Sequence, residues 1–238
     1  VTATENRYMD LIYPAIEQIQ LPGTNIDYSM VTRTAESVNG SETAYQSKSA
    51  VEVLPHRNYA FDAPMMVGSS INETNNMSGD KSFALTCTFS TTSNFLSPVI
   101  DMNRTSIHCI QNRIGNTGSS ELPATGGTEV SKYITKVVSL TEEADIATVY
   151  LTAAKPAGAV IDLYYRALPG GSGDSIAETA YIAATPVTTI PDSERFKEVR
   201  YDIDPAGTFS NIQFKIVMRT SNSAKPPMIK DFRALCST

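Results

Sequence analysis

Ile212-Gln-Phe-Lys-Ile-Val-Met-Arg219 carries the reading that decides the fold. Ile212, Phe214, Ile216 and Met218 are apolar, and Gln213, Lys215, Val217 and Arg219 stand between them. A two-residue period puts successive side chains on opposite sides of an extended backbone, so one side meets a core and the other meets water or a second layer. The same period runs through Phe83, Leu85, Cys87 and Phe89, interleaved with Ala and Thr. It recurs at Val199, Tyr201 and Ile203 between Glu198, Arg200 and Asp202, and at Ile161, Leu163, Tyr165 and Ala167.

Working outward, weaker alternation predicts strands near Ile26–Arg33, Ser49–Leu54, Ser106–Ile110, Tyr133–Leu140, Ala147–Ala153, Thr179–Ala184 and Met228–Leu235. Turn clusters separate them, among them Pro22-Gly23, Asn39-Gly40, Pro156-Ala-Gly158, Pro169-Gly-Gly-Ser-Gly173 and Asp204-Pro-Ala-Gly207. Many strands cut by turns, with little helix, predict an all-β, antiparallel β-sandwich or jelly-roll-like fold with extended arms. Near the start, Tyr8, Leu11, Ile12, Ala15, Ile16 and Ile19 recur at helical spacing, but Pro14 interrupts the run. An extended arm is preferred there to a short helix. Arms are expected over Val1–Ile26 and Thr34–Lys48.

Asn116–Thr128 is rich in Gly, Ser and Thr and has no period. It predicts a flexible linker, dividing the chain into an N-terminal β region (1–118), a linker (119–129) and a C-terminal β-sandwich (130–238).

Composition narrows the function. Of 238 residues, 18% are charged, below the usual ~25%, and the net charge is −6. No basic run is present to displace counterions from phosphates, which speaks against nucleic acid. No apolar stretch approaches the ~20 residues a spanning helix needs. Three cysteines (Cys87, Cys109 and Cys236) lie far apart, which suits neither a disulfide framework nor a zinc site. Cys87 reads as a small buried hydrophobe. The chain begins with Val1 rather than Met, so it is expected to be a processed product or a piece of a longer protein.

Candidate chemistry is thin. His108 and Cys109 are neighbours, but adjacent strand residues point apart; His56 has no partner in sequence. Glu142, Glu143 and Asp145 read as solvated loop charge. Asp202 and Asp204 lack calcium-loop spacing, as does Asp101 near Asn103. Gly170–Gly173 lacks the Lys and helix of a phosphate loop. Tyr150, Tyr164 and Tyr165 suggest either a sugar-stacking platform or a packing and subunit-contact surface; the second is preferred because tyrosine is enriched at interfaces. Tyr8 and Tyr13 are further interface candidates. No cofactor, metal or catalytic residue is expected.

Ser131-Lys-Tyr-Ile-Thr-Lys-Val-Val-Ser-Leu140, Ala147-Thr-Val-Tyr-Leu-Thr-Ala-Ala-Lys-Pro-Ala-Gly158, Val160-Ile-Asp-Leu-Tyr-Tyr-Arg166 and the ending from Phe214 to Ala234 resemble a module of structural proteins of T-even-like phages of marine bacteria and cyanobacteria. Gly40-Ser-Glu-Thr-Ala-Tyr45, Ser70-Ile-Asn-Glu73 and Leu96–Arg104 are similar to the same proteins. The resemblance implies the C-terminal part of a larger virion tail protein, a baseplate wedge or tail-fibre attachment, assembled in the host cytoplasm. It implies other tail or baseplate subunits as partners, a homo-oligomer as an option, and no catalytic residues. The alternative is a viral receptor- or glycan-binding module.

Overall fold

A computed structural model describes residues 9–33, 44–48, 51–53, 77, 80–116, 118 and 120–238. The chain divides into two units, Val1–Asn112 and Arg113–Thr238.

Alternation places the core of the first unit. Its strands are β1 (Leu11–Ile19), β2 (Thr24–Arg33), β3 (Gln46–Ser47), β4 (Ser82–Thr91) and β5 (Val99–Ile110). β1 pairs antiparallel with β5, and the second sheet runs β3-β2-β4. Met9, Leu11, Ile12, Tyr13, Met30 and Phe83 anchor the core. The expected arm over residues 1–26 is corrected where it is described: residues 11–19 are a paired strand whose first part, Leu11–Ile16, is buried in the unit, not a free arm. Pro14 is accommodated because β1, among the described residues, pairs on one side only, where a missing N–H costs no second ladder bond. Phe83 is buried, but Cys87 is half-buried and Phe89 exposed, because β4 runs on past the core cluster. Residues 51–53 form no strand, and the rest of the Ser49–Leu54 expectation lies outside the described residues, as do Tyr8, His56 and most of Thr34–Lys48.

The second unit is a two-layer sandwich. Its strands are β6 (Lys132–Ile134), β7 (Val138–Ala144), β8 (Ile146–Lys155), β9 (Ala159–Leu168), β10 (Ile182–Ala184), β11 (Ser193–Ile203), β12 (Phe209–Thr220) and β13 (Met228–Ser237). One sheet runs β10-β9-β12-β6, with β7 also on β12; the other runs β11-β8-β13. All pairings are antiparallel. Ala147, Val149, Leu151 and Ala153 of β8 face Ile161, Leu163 and Tyr165 of β9 and Ile212, Phe214 and Ile216 of β12 in one core, joined by Val199, Tyr201 and Ile203 of β11. The predicted strand Tyr133–Leu140 is two strands, β6 and β7, which bind successive stretches of β12. Glu142 and Glu143 belong to β7 rather than a loop.

Residues 119–129 fall inside the second unit rather than between units. Composition suggested flexibility there, but Glu121 is buried and hydrogen-bonded to β12.

Phe214 fills the centre of the sandwich, edge-on to Phe232 with ring centroids 5.4 Å apart. Phe214→Ala is expected to cost about 3–5 kcal/mol. Hydrogen exchange under rising denaturant will show earlier opening of residues 131–238.

Candidate functional site

β12 is central, so its second face is also roofed. On that face Gln213, Lys215 and Val217 stand opposite Arg166, Tyr164 and Asp162 of β9. Residues 212–217 are buried on both faces. The side expected to carry polar residues toward water or a second layer therefore meets a second layer. That layer is built from the segment around Glu121–Glu129 and a single 3-10 turn, Ile176–Glu178, with Tyr181 following it.

Lys215 organises the roof. Its side chain is 0% exposed. The ammonium donates to the main-chain oxygen of Glu121, to Glu121 Oε2 at 3.1 Å and to Gly126 O at 3.3 Å. It also lies 3.9 Å from the centroid of the Tyr181 ring and 5.1 Å from that of Tyr164, which adds cation–π attraction. Glu121 Oε1 accepts the Glu129 N–H at 2.8 Å, and Oε2 lies 3.5 Å from Lys132 Nζ. Lys132 in turn donates to Gly126 O and Gly127 O at 2.8 and 3.0 Å. Gly127 has φ +73°, and a Cβ there would collide with the Glu121 carboxylate, so the loop closes over the pair only with glycine.

Arg166 is the second tie. Nε donates to Gln213 Oε1 at 2.8 Å, and Nη1 donates to Ala177 O and Thr179 O at 3.0 and 3.2 Å. The guanidinium stacks 4.5 Å over Tyr181. Gln213 Nε2 reaches Thr135 O at 2.6 Å. Among the described residues no buried side-chain polar atom lacks a partner.

Two opposing effects set the protonation of the pair. Burial pushes the Glu121 carboxyl up, but the Glu129 N–H, Lys215 and Lys132 outweigh it and hold the carboxyl below its ordinary value. Burial pulls Lys215 below its ordinary value, with Glu121 resisting. Glu121 is thus a carboxylate at neutral pH. Asp162, at the rim, is pushed up by burial while paired to Arg219.

The sequence candidates scatter around this roof. Tyr164 and Tyr165 point to opposite faces of β9 and are both buried, Tyr164 in the roof and Tyr165 in the core, so they share no platform with Tyr150. Tyr150 lies on the outer face of the other sheet under Arg233, 5.4 Å from the ring centroid. Tyr13 is buried in the first unit. Asp202 is paired with Arg200 at 2.7 Å, while Asp204 accepts the Ala206 N–H in its turn. Glu143 accepts the Gly170 N–H at 2.8 Å, and Asp101 accepts the Asn103 N–H at 2.9 Å. His108 and Cys109 are both exposed on β5. Among the described residues no three His, Cys, Asp or Glu side chains gather as a metal would require, and no helix is long and apolar enough to cross a membrane. Lys215 and Arg166 escaped notice as a site. Their signal was a cation amid Phe214, Ile216 and Val217, a setting a charge tolerates only when paired.

A surface of opposite character lies at one end of the first unit. The turn after β1 and the loop between β4 and β5 meet there, because Ile19 pairs with Val99 and Thr24 with Thr91. Ile19, Leu21, Phe89, Phe95, Leu96 and Val99 are all exposed at this end, Phe95 to 95%.

No family model matches the chain, and no curated protein matches it. Among solved structures, a chain of the infectious bursal disease virus Gx strain is 12% identical over 97% of this chain and 57% of its own, with a TM-score of 0.28. A chain of the T13 particle of the same virus is 11% identical over 96% and 54%, with a TM-score of 0.31. The VP2 subviral particle of that virus gives 11%, 95%, 54% and 0.27. This chain spans about half the length of those chains. Superpositions this loose carry no argument about it.

Glu121→Gln strands a buried ammonium and is expected to destabilise the second unit by about 3–5 kcal/mol at neutral pH. Because the folded carboxyl titrates below its unfolded value of about 4.5, its contribution is present above that value and lost as pH falls through the folded one. The gap between wild type and Glu121→Gln should therefore close in acid. Paired replacement, Glu121→Leu with Lys215→Met, should recover most of the loss. Denaturant titrations across pH measure all three.

Proposed function

We propose that this chain is a virion structural protein of a phage tail, in a baseplate wedge or tail-fibre attachment, acting through subunit–subunit contacts and without a catalytic step. The observation that carries the reading is the apolar end of the first unit. A fully exposed phenylalanine beside leucine, isoleucine and valine is costly in water and is the usual mark of a surface that another protein covers. The second unit supports the same role. Its concentrated polar groups are closed off and matched internally, which makes a stiff block rather than a cleft open to substrate. The placement in a tail rests on the sequence resemblance over residues 131–166 and 214–234.

Phe95→Ser with Leu96→Ser should leave thermal stability within about 0.5 kcal/mol of wild type, because surface changes rarely do more. It should also sharply reduce incorporation into particles. Immunogold labelling of purified particles is expected to mark the tail end; label on the head shell, or none, overturns the proposal.

A further inference from the structure

The two edges of the three-stranded sheet differ. Along β11, Pro186 bridges to Tyr201, and Val187 N–H donates to Arg200 O at 2.8 Å, so that edge is interrupted at Arg200 and Tyr201. Along the other edge, β13 pairs only with β8 among the described residues. β13 is also incompletely covered on its inner side. Ile229, Phe232, Ala234 and Cys236 oppose the core residues Ala153, Leu151, Val149 and Ala147 of β8. Yet Ile229, Phe232 and Cys236 are only half-buried, and Ala234 is exposed. A mainly apolar groove of about 380 Å³ runs beside them, lined by Tyr133, Met218, Ile229 and Phe232 together with the charged Lys230 and Asp231. A free backbone edge beside an open core accepts an added strand.

We infer that the occupant is a second copy of this chain, adding its own β13 antiparallel about a two-fold axis centred on Phe232. The inference rests on the contact-making role proposed above and names one partner for it. Strand β13 ordinarily looks defended, since it carries Lys230, Asp231 and Arg233 and a bulge between Ile229 and Asp231. The order of those charges selects the partner. Over Asp231–Arg233, clear of the bulge, a two-fold pairing must keep inner side chains opposite inner ones, which removes every register shifted by one residue. Of the allowed registers, centring on Asp231 sets two aspartates face to face, centring on Arg233 sets two arginines, and centring on Ala234 leaves Arg233 opposite Leu235 and Asp231 opposite Ser237, with no charge matched. Centring on Phe232 sets Asp231 of each copy opposite Arg233 of the other, twice over by symmetry. Opposite charges across a strand pair are favourable, and like charges directly opposite are not. The same register brings the two half-covered Phe232 rings together over the groove. In the single chain Asp231 lies 3.1 Å from Arg233 and Arg233 2.5 Å from Glu198, exposed pairs that exchange partners at little cost.

Analytical ultracentrifugation of the purified full chain tests the seam. The expected result is a reversible dimer. Asp231→Arg alone and Arg233→Asp alone should each sediment as monomers, because each creates two like-charge oppositions. Mixed together, the two variants should form a heterodimer, since every opposition is again complementary. This rescue requires both variants to be folded, so misfolding cannot imitate it. A wild-type chain that stays monomeric, a dimer indifferent to both substitutions, or variants that fail to pair on mixing would each overturn the inference. The measurement uses no particles, so loss of the seam leaves the tail reading standing, and absence from particles leaves the seam standing.

Discussion

The second unit turns on a single ammonium in the middle of its central strand. Lys215 is flanked by Phe214 and Ile216, whose side chains must point into the sandwich, so its own must point to the other face. A bare cation cannot remain there out of water. The segment around Glu121 is drawn across the sheet to supply a carboxylate and carbonyl oxygens, and the rings of Tyr164 and Tyr181 close the sides. Arg166 extends the same logic to the 3-10 turn, and Gln213 joins it to Thr135. The result is a layer whose position is specified by hydrogen bonds more than by apolar area. A hydrophobic replacement pair of similar volume would keep most of the stability, but it would specify the crossing of the segment less sharply.

The strands were largely legible because one face of each is apolar at every second residue. The runs at Ile161–Tyr165, Val199–Ile203 and Ile212–Ile216 lie in one core, as their period requires. Legibility failed where burial depends on something distant. Nothing in Phe83–Phe89 marks the point at which β4 leaves the core, because that is set by where distant residues such as Met9, Leu11 and Met77 cover it. Pro14 reads as a break until β1 is known to pair, among the described residues, with β5 alone. Glu121 sits among glycines and serines with no period, and its partner lies 94 residues away. Composition reports flexibility of an isolated segment; a matched charge across the fold overrides it. The tyrosines failed for a simpler reason. Tyr164 and Tyr165 are adjacent in a strand and so belong to different layers.

The two units show contrasting surfaces. The outer face of the three-stranded sheet is a lattice of Arg200, Asp202, Glu198 and Arg233 pairs over Tyr150, polar and mutually neutralised. The end of the first unit is bare apolar surface. A protein that met only water would have reason for the first and none for the second.

Pro186 sets a limit on growth. By bridging β11 at Tyr201 with a residue that lacks an amide hydrogen, it stops an added strand from running the full length of that margin. Among the described residues, a full-length strand can join only on the far side, along β13, so lateral accretion halts after one step. A sheet with both margins bare would recruit copy after copy into a fibre; this one is stoppered at one end by a ring.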